Sequence, residues 1–309
     1  MKPKALAMGG TLGLIAPSGG VQEPDRVERA AARLVDLGFR VKKGPGCGSS
    51  WGYLAGKDAV RAADLNAFFV DPEVDGIVCL KGGYGTPRIL DAIDYPSVAR
   101  NPKALVGYSD ITGLHLALDR MCGLVTFHGP MPSSDMLPEF DELSRTSWLA
   151  ALMTTGPLGL LANPGGGRLE KLVGGTARGP VAGGNLSLIA ATMGTPYEID
   201  ARGRILFFED IDEAPYRVDR MLTQLRLAGK FDQCVGILLG DWKDCVPKEG
   251  KPSLTLMQVF EEVLAPSGKP VAFGFRAGHC KPALTFPFGV EAVLDADAGT
   301  LVFVESATC

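Results

Sequence analysis

The N-terminal half of this sequence repeats one pattern, in which a short apolar run leads into a glycine- or serine-containing loop and then into apolar residues at helical spacing. The apolar runs cover residues 12–16, 76–80 and 104–107, and the loops that follow them read PSGG, KGGYG and YSD. Runs this short are typical of buried strands, whereas a spacing of three to four residues indicates a helix. The alternation predicts an α/β fold with a Rossmann-like parallel sheet, whose loops at the carboxyl ends of the strands form the natural site.

The second half restarts this pattern after a break in composition. A chain of 309 residues is long enough for about two domains. Residues 156–182 are so rich in glycine and proline that they are predicted to be a linker between an N-terminal α/β domain, 1–155, and a C-terminal domain, 183–309. The second domain is expected to contain strands at 205–208, 235–239, 271–275 and 301–304, with helices at 186–193, at 256–264 and from Pro215 onward.

The charge and cysteine content argue against several classes of function. The net charge is −4 and the isoelectric point about 5.5, so no nucleic-acid or anionic membrane partner is expected from electrostatics. No run of about 18 apolar residues is present to span a membrane. Glycines interrupt the apolar stretch near the N-terminus, so it does not read as a signal peptide. Seven cysteines without a C-x-x-C pair favour a reducing, cytoplasmic location over a disulfide framework or a zinc knuckle.

Ser109 stands at the predicted turn between a strand and a helix. A serine in such a turn can expose its hydroxyl above the sheet, while the N–H groups of the following helix point to where an oxyanion would form. Ser109 or Asp110 can equally serve as a helix N-cap, which is the commoner role of a Ser-Asp pair in this position. The full G-x-S-x-G elbow is absent, and the turn alone therefore leaves both interpretations open.

Few side chains could act as the base for such a serine. The sequence has three histidines, and each of them taken alone is more often structural than catalytic: His115, His128 and His279. Glu209 follows an apolar run directly, which places a carboxylate at a strand's carboxyl end. If Ser109, Glu209 and His279 converge, the imidazole can take the serine proton and the carboxylate can hold the imidazole. Backbone N–H groups of Asp110 and of the Gly82-Gly83 loop would then stabilise the oxyanion.

Three other functions use the same residues. The PSGG and GGYG loops could cradle a phosphate or nucleotide in a binding module without hydrolase activity, although no complete nucleotide-binding motif is present. Glu209, Asp210 and Asp212 could join a histidine at a metal, but no paired histidine spacing supports a metallohydrolase. Cys280 could be a nucleophile beside His279, but side chains adjacent in sequence seldom meet productively.

Taken together, the motifs resemble the LD-carboxypeptidases, or muramoyltetrapeptide carboxypeptidases, a serine-peptidase family that includes the microcin-immunity peptidases. The resemblance extends over nearly the whole chain through an ordered series of motifs: LIAPSG, KGGYG, GYSD, FHGPM, GGNLSLI, FFEDIDEAPYRVDRML, GHC and FPFG. It implies that Ser109 is the nucleophile, Glu209 the orienting acid and His279 the base. It also implies an N-terminal sheet domain paired with a smaller C-terminal α/β domain, with the active site at their interface and no metal or cofactor.

The same resemblance implies hydrolysis of an L,D-peptide bond that releases D-alanine from a murein tetrapeptide during cytoplasmic recycling, by a homodimer. The microcin branch, which acts on peptidyl or aminoacyl nucleotides, is disfavoured because little room exists for a long insertion between Glu209 and His279. Two residues depart from the family pattern, Lys81 in place of arginine and Cys280 in place of a hydroxyl residue. Candidate oxyanion donors are the N–H groups of Gly83 and Asp110, and candidate substrate-lining residues are Gly82, Tyr84, Tyr108, His128 and Asn185.

Overall fold

Two β-sheets form the framework of the protein in the computed structural model, which describes residues 1–23 and 25–309. The first part of the chain contributes β1 (Thr11–Ile15), α1 (Arg26–Asp36), β2 (Arg40–Lys43), α2 (Asp58–Val70), β3 (Gly76–Cys79), α3 (Tyr95–Arg100), β4 (Ala104–Gly107), α4 (Thr112–Cys122), β5 (Thr126–His128) and α5 (Glu142–Met153). Short 3₁₀ helices lie between these elements at Pro45–Gly48, Thr86–Ala92 and Ser109–Ile111.

The remainder of the chain builds the second sheet and its helices. Its elements are β6 (Pro157–Leu160), β7 (Glu170–Val173), β8 (Thr176–Asn185), α6 (Leu186–Thr192), β9 (Ile205–Ile211), α7 (Pro215–Leu227), α8 (Lys230–Gln233), β10 (Gly236–Lys243), α9 (Leu256–Val263), β11 (Val271–Phe273), β12 (Phe286–Phe288), β13 (Glu291–Asp295) and β14 (Thr300–Ser306). Two further 3₁₀ helices are Pro164–Gly166 and Ala265–Ser267.

The first sheet has the parallel core that the alternating pattern predicts. Its order is β12-β5-β4-β3-β1-β2, and the five strands from β5 to β2 run parallel. All five residues of β1 are buried, because helices cover both faces of a parallel sheet. Since β4 lies between β3 and β5, the turn after β4 is flanked by the loops that follow its neighbours. The helical segment predicted after the KGGYG loop is the 3₁₀ helix Thr86–Ala92.

The second sheet corrects the linker prediction. Its order is β6-β14-β13-β8-β9-β10-β11-β7, with β8 to β11 parallel and the outer strands antiparallel. The range 156–182 is not an irregular linker, because it forms β6, β7 and most of β8. Glycines such as Gly159 and Gly175, both at positive φ, lie in or beside these strands, so the composition resembles that of a loop. This sheet has eight strands, against six in the first sheet.

Strand β12 ties the two halves of the chain together. It comes from the C-terminal half but pairs antiparallel with β5 of the first sheet, where Phe286 lies opposite His128. Phe286 also packs on Phe207 of β9, with ring centroids 4.9 Å apart, and belongs to an apolar core shared by both sheets. A second connection joins β8 to α4, since the N–H of Asn185 donates to Thr112 Oγ1 at 2.9 Å. The carboxyl ends of β4 and β9 therefore meet.

The core under α5 offers a test of the fold. Trp148 is fully buried and packs edge-on against Phe39, with ring centroids 6.1 Å apart. Trp148→Ala is expected to lower the free energy of unfolding by about 3–5 kcal/mol, because it leaves a cavity that the core cannot fill. Trp51, which is 57% exposed, is the matched control, and its replacement by alanine should cost less than about 1 kcal/mol. Denaturant titration measures both, and equal losses would contradict this account.

Candidate active site

Ser109 lies in a strained turn immediately after β4. Its backbone has φ of 63°, a left-handed conformation that a residue with a side chain adopts at a cost of about 1–2 kcal/mol. The preceding glycine permits the turn, because a Cβ on Gly107 would lie 2.9 Å from the side chain of Ile111. Neither Ser109 nor Asp110 caps the following helices with its side chain. The hydroxyl is instead directed at a histidine from the other half of the chain.

A serine hydroxyl, an imidazole and a carboxylate are in contact in that order. His279 Nε2 lies 3.2 Å from Ser109 Oγ, and His279 Nδ1 lies 2.7 Å from Glu209 Oε2. A carboxylate only accepts hydrogen bonds, so the Nδ1–H donates to Glu209, and Nε2 is left to accept the serine O–H. Such an arrangement can activate a hydroxyl as a nucleophile. The structure thus brings together the three residues that were predicted to converge.

A glycine makes the contact between His279 and Glu209 possible. Gly278 has φ of 108°, and a Cβ at this position would lie 2.6 Å from Glu209 Oε2. Glu209 itself has no exposed surface, and its second oxygen, Oε1, has no hydrogen-bond partner within residues 1–23 and 25–309. Among the described residues, the imidazole is therefore the only group that hydrogen-bonds to this buried carboxylate and compensates its charge. A side chain at position 278 would displace one of the two groups.

The pKa of His279 reflects two opposing effects. Burial lowers it, since the charged imidazolium is poorly solvated, but the charge and hydrogen bond of Glu209 raise it, with smaller contributions from Asp135 and Asp210. The net result is a pKa above the ordinary value of 6.5. The site therefore favours the protonated imidazole more than water does, as a base that must accept a proton requires.

Tyr108 packs against the imidazole of His279, and Asp135 binds the Tyr108 hydroxyl. The Tyr108 ring packs edge-on against His279 with centroids 4.9 Å apart, and its hydroxyl donates to Asp135 Oδ1 at 2.7 Å. Asp135 Oδ2 accepts from the N–H of Met131 and the hydroxyl of Ser134. Sequence reasoning missed Asp135, because it lies in a polar, irregular stretch with no strand or helix pattern to place it near the site.

The glycine loop after β3 packs directly on the serine. A Cβ on Gly82 would lie 3.2 Å from Ser109 Oγ, and one on Gly83, where φ is 124°, would lie 3.1 Å from the Cα of Gly19. The N–H of Gly19 donates to the carbonyl of Gly82 at 3.2 Å, so the loops after β1 and β3 are joined. Lys81 places Nζ 3.5 Å from the carbonyl of Gly20.

Several predicted site residues have structural surroundings instead. His128 is buried among aromatic rings, and burial holds its pKa well below 6.5. Asn185 is also buried, where it caps α6 and donates to Asp210 Oδ1 at 2.8 Å. These two side chains therefore do not line an open surface. His115 is buried between Thr126 and the carbonyl of Gly107, whereas Tyr84 is 72% exposed beside the glycine loop.

The alternative chemistries find less support in this geometry. Burial raises the pKa of the Cys280 thiol to about 12, which disfavours the thiolate that a nucleophile needs. Asp210 accepts hydrogen bonds from Asn185 and Ser187, and burial followed by the charge of Glu209 raises its pKa to about 6. Over the described ranges, no three histidine, cysteine, aspartate or glutamate side chains are grouped closely enough to hold a metal ion. A separate observation on the same ranges is that no helix is long and apolar enough to cross a membrane.

Comparison with known proteins gives this site a family. Residues 12–129 match the LD-carboxypeptidase N-terminal domain, and residues 178–294 match the LD-carboxypeptidase C-terminal domain. The chain belongs to the LD-carboxypeptidase family. The family resemblance inferred from the motifs is thereby confirmed, as is the two-domain α/β architecture. Membership of a carboxypeptidase family assigns the protein to the hydrolases.

Members of the LD-carboxypeptidase family align with this chain over nearly its full length. A Bacillus subtilis protein named probable murein peptide carboxypeptidase is 44% identical over 302 residues, which cover 97% of this chain and 93% of the relative. A structure of MccF in complex with glutamyl sulfamoyl guanosine has a TM-score of 0.91 at 26% identity, covering 100% and 99% of the two chains. A muramoyltetrapeptide carboxypeptidase from Oxalobacter formigenes has a TM-score of 0.83 at 28% identity, covering 97% and 100%.

The contact between His279 and Glu209 predicts a measurable effect on the pKa of His279. Burial lowers the pKa of both His115, to about 4, and His128, whereas the pKa of His279 is raised, so His279 is expected to titrate at the highest pH of the three histidines. Glu209→Gln should lower the pKa of His279, because it removes the charge that opposes burial. Imidazole NMR over a pH series measures this shift, and His279→Gln assigns the resonance. An unchanged or raised pKa in Glu209→Gln would contradict the proposed electrostatic coupling.

Proposed function

We propose that the protein is a serine carboxypeptidase that hydrolyses the L,D-peptide bond before the C-terminal D-alanine of a murein tetrapeptide. The observation that carries this proposal is the pair of contacts His279 makes, to Ser109 Oγ at 3.2 Å and to Glu209 at 2.7 Å. The chain order Ser, Glu, His is one that unrelated serine hydrolases also use. The name of the relative that is 44% identical supports a murein peptide as the substrate.

The geometry supports a two-step acyl transfer. Ser109 Oγ attacks the carbonyl carbon of the scissile bond while its proton passes to His279 Nε2, and Glu209 stabilises the imidazolium. The N–H groups of Gly83 and Asp110 stabilise the oxyanion. Collapse of this intermediate breaks the C–N bond, and the imidazolium gives its proton to the departing amine of D-alanine. Water then attacks the acyl-enzyme with His279 as base, which frees the shortened peptide and Ser109.

A second candidate function has one specific observation in its favour. The TM-score of 0.91 with MccF is higher than the 0.83 obtained with the muramoyltetrapeptide carboxypeptidase, so cleavage of an aminoacyl nucleotide analogue is the alternative. The same nucleophile would serve both reactions, which differ in the acyl group transferred to the serine and in the group that leaves. Assays on a tetrapeptide and on glutamyl sulfamoyl guanosine therefore separate them.

The proposal also includes a cellular location and an assembly state. A cytoplasmic location fits seven cysteines among which the structure forms no disulfide within the described residues. Homodimeric assembly follows from the family resemblance alone. Light scattering on the purified protein measures the assembly state directly.

Replacing the nucleophile gives the decisive test. Ser109→Ala is expected to reduce release of D-alanine from a tetrapeptide by about 10⁴-fold or more, since no acyl-enzyme can form. Its melting temperature should not fall, because the strained turn and its neighbours are retained. Ser253→Ala, at an exposed position, serves as the control and should keep full activity. Undiminished turnover in Ser109→Ala would exclude the covalent mechanism.

The pKa of His279 also predicts how activity depends on pH. The base must be neutral to accept the serine proton, and its pKa lies above 6.5. As the pH falls through that pKa, the imidazole becomes charged and kcat/KM should decrease in proportion to the neutral fraction. A pH–rate profile measured between about pH 5 and 9 tests this. A profile that stays flat across the range would argue against His279 as the base.

A further inference from the structure

The loops after β1 and β3 meet beside Ser109, and a buried arginine joins them. Arg61, on α2, is 1% exposed. Its Nη1 donates to the carbonyl of Pro17 at 2.6 Å and to the carbonyl of Gly85 at 2.9 Å. Pro17 belongs to the loop after β1, and Gly85 ends the glycine loop after β3. A single guanidinium nitrogen therefore holds both loops at a fixed separation.

The close approach of this guanidinium depends on glycine. A Cβ on Gly85 would lie 2.7 Å from Arg61 Nη1, and the backbone there has φ of 123°. Any side chain at this position would push the arginine away from the two carbonyls. The last glycine of the KGGYG motif is thus explained by close packing against both Arg61 and Leu54, whose Cδ2 would lie 2.5 Å from the added Cβ.

The buried carboxylate of Asp110 connects the same two loops, at the residue after Pro17 in one and after Gly85 in the other. Asp110 Oδ2 accepts from Ser18 Oγ at 2.6 Å and from the N–H of Thr86 at 2.9 Å. Ser18 follows Pro17, and Thr86 follows Gly85, so Arg61 and Asp110 bridge adjacent residues of the two loops. Since Asp110 follows Ser109 in the chain, this arrangement connects Arg61 with the turn that carries the serine.

The charge of Arg61 is compensated on the outer side of the loops. Its Nη2 donates to Asp58, and Asp58 also receives two nitrogens of Arg88, with contacts of 2.8 to 3.1 Å. Arg88 is exposed, and over residues 1–23 and 25–309 its side chain makes no hydrogen bond to either loop carbonyl, whereas its backbone N–H donates to the carbonyl of Gly85 at 3.1 Å. The two guanidinium groups share one carboxylate, but among the described residues only that of Arg61 also binds the two loop carbonyls, and replacing the Arg88 side chain leaves its backbone N–H in place.

We propose that Arg61 is a positioning residue for the reaction, which holds the glycine loop so that its N–H groups face the oxyanion formed at Ser109. This inference rests on the proposed function. A donor displaced by a few tenths of an ångström is weakened in the transition state, whereas binding of the ground-state peptide is little changed. The role therefore predicts a loss in kcat rather than in KM.

Arg61→Lys tests the inference with the charge retained. An ammonium is a point donor and cannot reproduce the planar fork that reaches both carbonyls and Asp58. We expect kcat to fall by about 10- to 100-fold, up to the effect of losing one oxyanion donor, with KM within about twofold of the wild type. Arg88→Met, the matched control, removes the other partner of Asp58 and should leave both constants within about twofold.

Ser18→Ala provides a second variant that removes no charge. It loosens the same pair of loops at Asp110, so kcat should fall in the same direction and KM should again stay unchanged. The inference is overturned if folded Arg61→Lys and Ser18→Ala both retain the wild-type kcat, or if either variant raises KM while kcat stays constant. Melting temperatures show that each variant is folded.

A fluorophosphonate probe separates this inference from the choice of substrate. Ser109 Oγ attacks its phosphorus, fluoride leaves, and the serine proton passes to His279, so labelling needs the oxyanion donors but not a peptide. If the wild type is labelled but releases no D-alanine, the proposed substrate is wrong, and the labelling rate still tests Arg61. Slower labelling of Arg61→Lys than of Arg88→Met supports the inference, and equal rates overturn it.

Discussion

The contact between Glu209 and His279 is the interaction on which the rest of the site depends. A carboxylate without exposed surface is expensive to ionise unless a partner compensates its charge, and the partner here is an imidazole 2.7 Å away. Glu209 lies on β9 of the second sheet and His279 lies in the loop between β11 and β12, whereas the serine follows β4 of the first sheet. The pair is useful only because β12 and the contact between α4 and β8 hold the sheets together at the carboxyl ends of β4 and β9.

Around the active site, glycine residues mainly allow other groups to approach the backbone closely. Gly82 lets the loop after β3 touch the serine, Gly278 leaves room for the buried carboxylate, and Gly85 admits the guanidinium of Arg61. At each of these positions a Cβ would come within about 3.2 Å of a functional group. These glycines, which the sequence alone indicates as loop residues, therefore allow charged or reactive side chains to pack directly against the backbone.

The polar groups around the nucleophile form two sets with different tasks. Tyr108 packs against the base, and Asp135, which accepts from the Tyr108 hydroxyl, contributes negative charge that raises the pKa of His279. Arg61 and Asp110 bind the loops after β1 and β3 rather than the base. The first set acts on the imidazole, so a change in it should alter proton transfer. The second set acts on the loops, so a change in it should alter stabilisation of the oxyanion.

The sequence by itself determined the alternating α/β pattern, the strand–turn–helix at Ser109 and the short set of side chains that could act with it. Local periodicity and turn chemistry decide these features, so a single chain reports them. Only the tertiary structure decided that residues 156–182 are strands, that His128 and Asn185 are buried, and that Asp135 and Arg61 lie beside the site. Edge strands and buried polar contacts depend on partners far away in the chain, and no local pattern encodes which partner is met.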